Sequence, residues 1–289
     1  MESNQSVVVG SNGFIGRKTV LKLENLGHKV ACITSENREL LASRSFWADL
    51  NPKQIVWLAS KITPSVAHNN PDLVRGELDE FLRFVDALNG LSSHVIYASS
   101  GGTVYTDTEL PFSEFSQASG ANEYGKSKLA MEQVLINSEI RSTILRISNA
   151  YGPGQRVNRG QGVIGTWLSQ VLDGNPISVF GSLENVRDYI FIDDVVNAVV
   201  SGINHLAKSD VFNIGSGIGI TLNELIQQIR TVTGVDFAIN QLDGRSVDRT
   251  SIWLNIDKAE AELSWKPLVT IEDGLKLSWN SLIRARKGE

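Results

Sequence analysis

Tyr124 and Lys128 stand four residues apart in Tyr124-Gly125-Lys126-Ser127-Lys128. On a helix, positions i and i+4 project from one face, so the phenol and the amine share a surface. A neighbouring ammonium favours the phenolate, which lets a tyrosine give or take a proton nearer neutral pH. Upstream, Gly10-Ser11-Asn12-Gly13-Phe14-Ile15-Gly16 places a glycine at every third position. A strand running into such a turn and a helix leaving it bring backbone N–H groups and a helix N-terminus to one point, where the two phosphates of a dinucleotide fit. Gly10 allows the tight turn, Gly13 a close backbone approach, and Gly16 close packing of helix on strand. Asn12, Phe14 and Ile15 within the turn, and Ala59 just past a later strand, complete the expected cofactor contacts. A dinucleotide site followed by a proton-moving pair points to hydride transfer.

The elements needed to position these groups are present in the pattern. Residues 6–9 form a short apolar run that enters the turn, and residues 14–26 show helical spacing closed by Gly27 as a C-cap. Residues 29–34 read as a second strand, which makes one βαβ unit. Strand-like runs follow at 54–58, 94–98 and 142–147, separated by helical patterns at 73–88 and 124–136. The alternation predicts an α/β chain: a Rossmann, doubly wound parallel sheet with helices on both faces. The interval between the second strand and Gln54 is short for a full repeat, so one layer is expected to be trimmed there. After Tyr151 the rhythm breaks. Residues 152–165 read as a loop, with further helices at 165–172, from Asp193 and at 222–232, and strands at 177–180, 186–192 and 211–214. The expected division is a Rossmann domain of residues 1–155 with 187–212, and a smaller C-terminal substrate-binding lobe of 156–186 and 213–289.

Cofactor choice turns on the end of the second strand. An acidic residue there would grip the ribose hydroxyls of NAD. Thr34 stands at that place and Glu36 comes two residues late, whereas Arg38 could meet a 2′-phosphate. On these residues alone the balance is with NADP(H), and NAD stays open.

The 289 residues, 42% hydrophobic and 20% charged, can bury a sizeable core. A net charge of -5 gives no electrostatic reason to seek nucleic acid or an anionic membrane. No long apolar stretch suggests a membrane span, and the start lacks a basic-then-apolar signal, so a soluble cytoplasmic protein is the default. The single cysteine, Cys32, excludes an internal disulfide and reads as a buried inert thiol. His28, His68, His94 and His205 lack metal-like spacing and read as surface or cap residues, so no metal is expected. Trp47, Trp57 and Trp253 read as packing residues; Trp167 is also a candidate for lining a sugar pocket.

Taken in order, several segments resemble the extended short-chain dehydrogenases, specifically the nucleotide-sugar epimerase/dehydratase family. They are the Gly10 turn, His94-Val95-Ile96-Tyr97-Ala98-Ser99-Ser100, Thr103-Val104-Tyr105, the Tyr124/Lys128 pair, and Leu145-Arg146-Ile147-Ser148-Asn149-Ala150-Tyr151-Gly152-Pro153-Gly154. Arg187-Asp188-Tyr189-Ile190-Phe191-Ile192-Asp193-Asp194, Asn213-Ile214-Gly215-Ser216-Gly217 and Ser264-Trp265-Lys266-Pro267 extend the match over nearly the whole chain.

The resemblance implies residue roles. Tyr124 would be the proton donor or acceptor at the sugar, and Lys128 would bind the nicotinamide ribose. The family's hydroxyl after the strand ending at Ala98 falls here on Gly101 and is missing; Ser100 or Thr103 would stand in, with Thr103 preferred. Asn149 would face a substrate diphosphate, Arg187 and Arg245 would clamp it, and Asp248 would lie near the nucleotide ribose. Asp193 and Asp194 are expected to cap the next helix, and Trp265 and Pro267 to be structural. An asparagine that relatives carry in a helix is replaced by Glu77, and the trimming after Asp49-Leu50 leaves the adenine pocket open to question.

The reaction implied is hydride transfer at carbon 4 of a nucleotide-diphosphate sugar with NAD or NADP. A UDP-glucose 4-epimerase-like activity is the first reading and NADPH-dependent reduction of a 4-keto sugar the alternative. A dehydratase is disfavoured, because Gly102-Thr103 occupy the place of its acid and base. A dinucleotide sensor without catalysis remains as a third class, opposed by the retained Tyr124/Lys128 pair. Relatives often dimerise through two helices, and the patterns at 73–88 and 124–136 could serve a homodimer.

Overall fold

Val7, Val8 and Val9 are all buried, which fits a strand with protein on both of its faces. A computed structural model of the chain describes residues 5–155, 162–244 and 250–288. Its first half runs β1 (Gln5–Val9), α1 (Phe14–Asn25), β2 (Lys29–Ile33), α2 (Arg44–Leu50), β3 (Gln54–Trp57), α3 (Pro64–Asn69), α4 (Pro71–Ala87), β4 (His94–Ser100), α5 (Glu123–Ile136), β5 (Arg141–Ile147) and β6 (Asn149–Tyr151). The second half runs α6 (Val163–Leu172), β7 (Ile177–Phe180), β8 (Val186–Phe191), α7 (Ile192–Asn204), β9 (Ser209–Ile214), β10 (Gly219–Thr221), α8 (Leu222–Thr233), β11 (Ile239–Leu242), β12 (Ser251–Ile252), α9 (Asp257–Leu263) and α10 (Ile271–Lys287).

Six strands form one parallel sheet in the order β2-β1-β3-β4-β5-β9. Successive side chains point to opposite faces. Val7, Val9, Ile55, Trp57, Val95 and Tyr97 therefore pack against Trp47 of α2, Phe81 and Phe84 of α4, and Met131 and Leu135 of α5. Val8, Val56, Ile96 and Leu145 pack on the other face against Leu23 of α1 and Val195, Ala198 and Val199 of α7. The strand order reverses between β1 and β3. In doubly wound sheets the carboxyl ends of the strands flanking that reversal open onto the ligand crevice. Gly10 and Ala59 stand near those two ends.

The trimmed repeat is visible between β2 and β3. Only a 3₁₀ turn, Arg38–Ala42, and the short α2 join them, so β2 is an edge strand. This overturns the expected burial of Cys32, whose place on that edge leaves it exposed. His94 departs the other way: it is fully buried, and its Nε2 lies 2.9 Å from Thr143 Oγ1 on the neighbouring strand. The apolar run that follows it, Val95-Ile96-Tyr97, carries it into the core once its ring finds a polar partner.

The smaller layer centres on β8, flanked by antiparallel β10 and parallel β12, with β6 also parallel to it. β7 and β11 form a parallel pair. Tyr151, Trp167, Ile177, Phe191, Leu225 and Leu275 are among the side chains of its core. Trp167 sits there with its Nε1 donating to the Ser178 carbonyl, so it packs the lobe instead of lining a sugar pocket. The two layers interleave along the chain. β8, which the sequence reading gives to the Rossmann domain, joins the lobe sheet, whereas Ala259, Leu263 and Trp265 pack into the central-sheet core.

The helix α7 is not capped by the two aspartates. Its N-cap is Phe191, and Asp193 and Asp194 lie in the first turn. Asp193 instead pairs with Lys18 of α1 at 2.5 Å, and buried Asp194 accepts the Val269 N–H at 3.0 Å. Trp265 Nε1 donates to the Asp194 carbonyl. No helix among the described residues is long and apolar enough to cross a membrane.

Candidate active site

The glycine turn takes the form its spacing predicts. Gly10 has φ +87° and donates to the Ile33 carbonyl, and Gly13 N–H returns to the Gly10 carbonyl at 2.9 Å. A Cβ at Gly16 would lie 2.1 Å from the Gly10 oxygen, and one at Gly10 would lie 2.8 Å from the Ala59 nitrogen. Side chains at either position would fill the space in which α1 meets β1 and β3. Asn12 and Gly13 are exposed at the turn, Phe14 and Ile15 are half-buried where α1 meets the lobe core, and the buried Ser11 hydroxyl has no hydrogen-bond partner. A turn of this shape at a helix start fits a dinucleotide diphosphate.

The residue at the end of β2 is occupied locally. Thr34 N–H donates to Asn37 Oδ1 at 2.8 Å, and Thr34 Oγ1 accepts the Glu36 N–H. Arg38, expected at a 2′-phosphate, donates through Nε to Glu80 of α4, while its buried Nη2 has no partner. Glu80 also pairs with Lys61 at 2.8 Å.

Tyr124 and Lys128 lie in the first turns of α5, where Asn122 caps the helix by accepting the Gly125 N–H. Lys128 is 4% exposed, donates to the Ala98 carbonyl at 3.4 Å, and holds its ammonium 5.6 Å from the Tyr124 ring centre and 5.3 Å from that of Tyr97. Burial opposes its charge, but attraction to Tyr97, Tyr124 and Glu77 outweighs that and raises its pKa. Burial also raises Tyr97, against the opposing pull of Lys128, which keeps that phenol neutral at pH 7.

The two hydroxyls weighed for the missing one are bonded to each other. Thr103 Oγ1 donates to Ser100 Oγ at 2.9 Å, in a turn whose Thr103 carbonyl packs against Gly125 beside Tyr124. Ser100 is thereby left able to donate onward. Gly101 has no room for a side chain: a Cβ there would stand 2.6 Å from Leu254 Cδ1 and 3.0 Å from the Arg146 carbonyl.

Beneath this turn lies a buried polar chain that the sequence reading did not single out. Arg146 of β5 bonds Glu132 of α5 at 2.7 Å, and the two side chains are 8% and 0% exposed. Ser99 also donates to Glu132, Arg146 Nη1 donates to Tyr105 Oη at 3.0 Å, and Tyr105 donates to Asn213 Oδ1 at 2.5 Å. Arg146 between Leu145 and Ile147, and Glu132 one turn beyond Lys128, were the signals available.

Among the proposed substrate residues, Asn149 is exposed and its Nδ2 donates to the Asp188 carbonyl. Arg187 donates to the Val186 and Thr250 carbonyls. Asp188 is fully buried, accepting from Ser216 N, Ser216 Oγ, Ser148 Oγ and Leu254 N; burial raises its carboxyl and these bonds oppose it. Arg245 and Asp248 lie outside the described residues.

Residues 6–215 match the NAD dependent epimerase/dehydratase family. The chain belongs to that family. This member is 37% identical over 231 residues to a dTDP-4-dehydro-6-deoxyglucose reductase of Escherichia coli, covering 78% of this chain and 73% of the relative. It is 28% identical to a putative UDP-glucose 4-epimerase of Methanocaldococcus jannaschii over 93% of this chain and 95% of that protein. Among solved structures, a UDP-glucose 4-epimerase of Thermotoga maritima, determined with UDP-glucose, matches with a TM-score of 0.90 at 26% identity, over 98% of this chain and 99% of that one. The family member described here is an enzyme of epimerase and reductase type.

Proposed function

We propose that the protein transfers a hydride at carbon 4 of a nucleotide-diphosphate hexose and acts first as a UDP-sugar 4-epimerase. The observation that carries the reading is the placement of Lys128, buried beside Tyr124 at the carboxyl end of β4. The cradle formed by Gly10, Asn12, Gly13, Phe14, Ile15 and Gly16 would hold the diphosphate of NAD, with Ala59 against it. Bound NAD supplies the acceptor and then the donor of the carbon-4 hydride. Tyr124 takes the proton of the carbon-4 hydroxyl as the ketone forms and returns it after the sugar has turned over. Lys128 stands beside that phenol, its ammonium 5.6 Å from the ring centre. Ser100, supported by Thr103, hydrogen-bonds the reacting oxygen. Asn149, Arg187, Arg245 and Asp248 would hold the nucleotide diphosphate, for which the planar arginine fork is well suited.

A second reading is NADPH-dependent reduction of an NDP-4-keto sugar. It is favoured by Thr34 standing where an acid would select NAD, and by the 37% identity to a reductase. The engagement of Arg38 by Glu80 weighs against it. We also propose a homodimer through α4 and α5, which leave Leu73, Leu82 and Ile136 exposed, and action in the cytoplasm.

The test is to incubate purified protein with UDP-galactose and other nucleotide sugars, with and without NADPH, and to identify any co-purified dinucleotide. Interconversion without cofactor consumption, with NAD bound, is the expected result. Stoichiometric NADPH oxidation on a keto sugar would replace the epimerase with the reductase.

A further inference from the structure

Asp210 is the second residue of β9, so it stands at the amino end of the central sheet, away from the carboxyl ends that border the glycine cradle. One of its carboxyl oxygens, Oδ1, accepts the Val211 N–H at 2.9 Å and a bond from Lys258 Nζ of α9. The other, Oδ2, lies 3.3 Å from Nε2 of His205, the residue that closes α7. That ring nitrogen is buried, yet it has no hydrogen-bond partner. A buried polar atom left without one is uncommon and calls for a cause. Glu262 of α9 brings a third ligand atom, and all three atoms lie within 4.8 Å of one another.

We propose that His205 Nε2, Asp210 Oδ2 and a Glu262 carboxyl oxygen form a zinc site that ties α9 to the end of α7 and to β9. The site is separate from Tyr124 and Lys128 and does not rest on the function proposed above.

Spacing carries the choice of metal. Two atoms bound to one tetrahedral Zn²⁺ at about 2.0–2.1 Å stand about 3.3 Å apart. His205 Nε2 and Asp210 Oδ2 already have that separation, without the alignment of a hydrogen bond. Imidazole and carboxylate are ordinary zinc ligands, and three protein ligands leave the fourth position to water. Mg²⁺ and Ca²⁺ instead favour shells made of oxygen. Glu262 is exposed near the end of its helix, so its longer side chain can close the remaining gap. Lys258 steadies Asp210 through Oδ1 and also donates to the Val211 carbonyl at 2.9 Å. Its charge offsets one of the two carboxylates and leaves the other to attract a cation. Phe212 packs edge-on to the His205 ring at 5.0 Å and helps to fix the imidazole. No spacing in the sequence announces the trio, because its members come from three elements that only the fold brings together. Through Ala259 and Leu263, α9 returns the chain from the lobe to the central-sheet core, and a metal here would pin that return.

The test uses the full chain without a histidine tag, stripped of metal by a chelator and titrated with ZnCl₂ in a calorimeter. One equivalent is expected to bind, and the thermal unfolding midpoint to rise with it. His205→Ala and Glu262→Ala should each weaken binding about tenfold or more, and should lose most of the rise in midpoint. Glu262→Ala alters an exposed side chain and carries the test if His205→Ala does not fold. MgCl₂ and CaCl₂ should give no comparable heat. A wild type that takes up no Zn²⁺, uptake that is the same in the wild type and both variants, or a preference for Mg²⁺ or Ca²⁺ overturns the proposal. The readout is binding alone, so a chain inert toward every nucleotide sugar sinks the functional reading and leaves the zinc site standing.

Discussion

Leu254 fills the space that a side chain at Gly101 would need, with its Cδ1 2.6 Å from the position of the absent Cβ. The loss of a hydroxyl at this place is therefore coupled to a buried leucine packed with Val104, Tyr105 and Phe112. Gly101→Ser should overpack the turn and cost about 1–3 kcal/mol without raising turnover. Combined with Leu254→Ala, its cost should be smaller than in the wild-type background. Urea unfolding of the four proteins checks this.

The direction of the Thr103–Ser100 bond ranks the two hydroxyls. Ser100→Ala should lower kcat about 10²-fold, as loss of one donor to a reacting oxygen does. Thr103→Val, which removes only support, should cost about tenfold with KM little changed. Steady-state kinetics on the best nucleotide sugar measure both, and equal losses would contradict the ranking.

Glu132 and Arg146 satisfy each other in a buried site. Glu132→Ala or Arg146→Met alone leaves an uncompensated charge there and should cost about 3–5 kcal/mol. Glu132→Leu with Arg146→Met should be less damaging than either single change. Denaturant midpoints at constant slope give the comparison.

His94 is held neutral. Burial, then the nearby Arg141, lowers its pKa from the ordinary 6.5 to about 4. Between those values the unfolded chain binds the extra proton and the folded one does not, so stability rises with pH. The contribution is complete above pH 6.5 and is lost as pH falls toward 4, on the order of 3 kcal/mol in all. His94→Gln should flatten this part of the stability–pH curve, as chemical unfolding across pH 4–7 would report.

The parallel sheet was legible because β1, β3, β4 and β5 are apolar runs and the intervening helices keep their period. The glycine cradle was legible because Gly10 takes a positive φ and Gly16 closes on the Gly10 carbonyl within the same seven residues. Contacts made across the fold were not. Nothing local to Glu132, Arg146, Tyr105 or Asn213 tells that they join in one chain, since each pair is brought together only by the sheet. The exposure of Cys32 depends on β2 being an edge strand, a property of strand order and not of residues 29–33. Arg38 read as a free phosphate ligand because its partner Glu80 lies 42 positions away.

Turnover by Tyr124→Phe tests the central claim most directly. The wild type should interconvert a nucleotide sugar, and the variant should retain its fold and bound dinucleotide while kcat falls about 10²–10⁴-fold. A variant as active as the wild type would remove the phenol beside Lys128 from the chemistry and contradict the account.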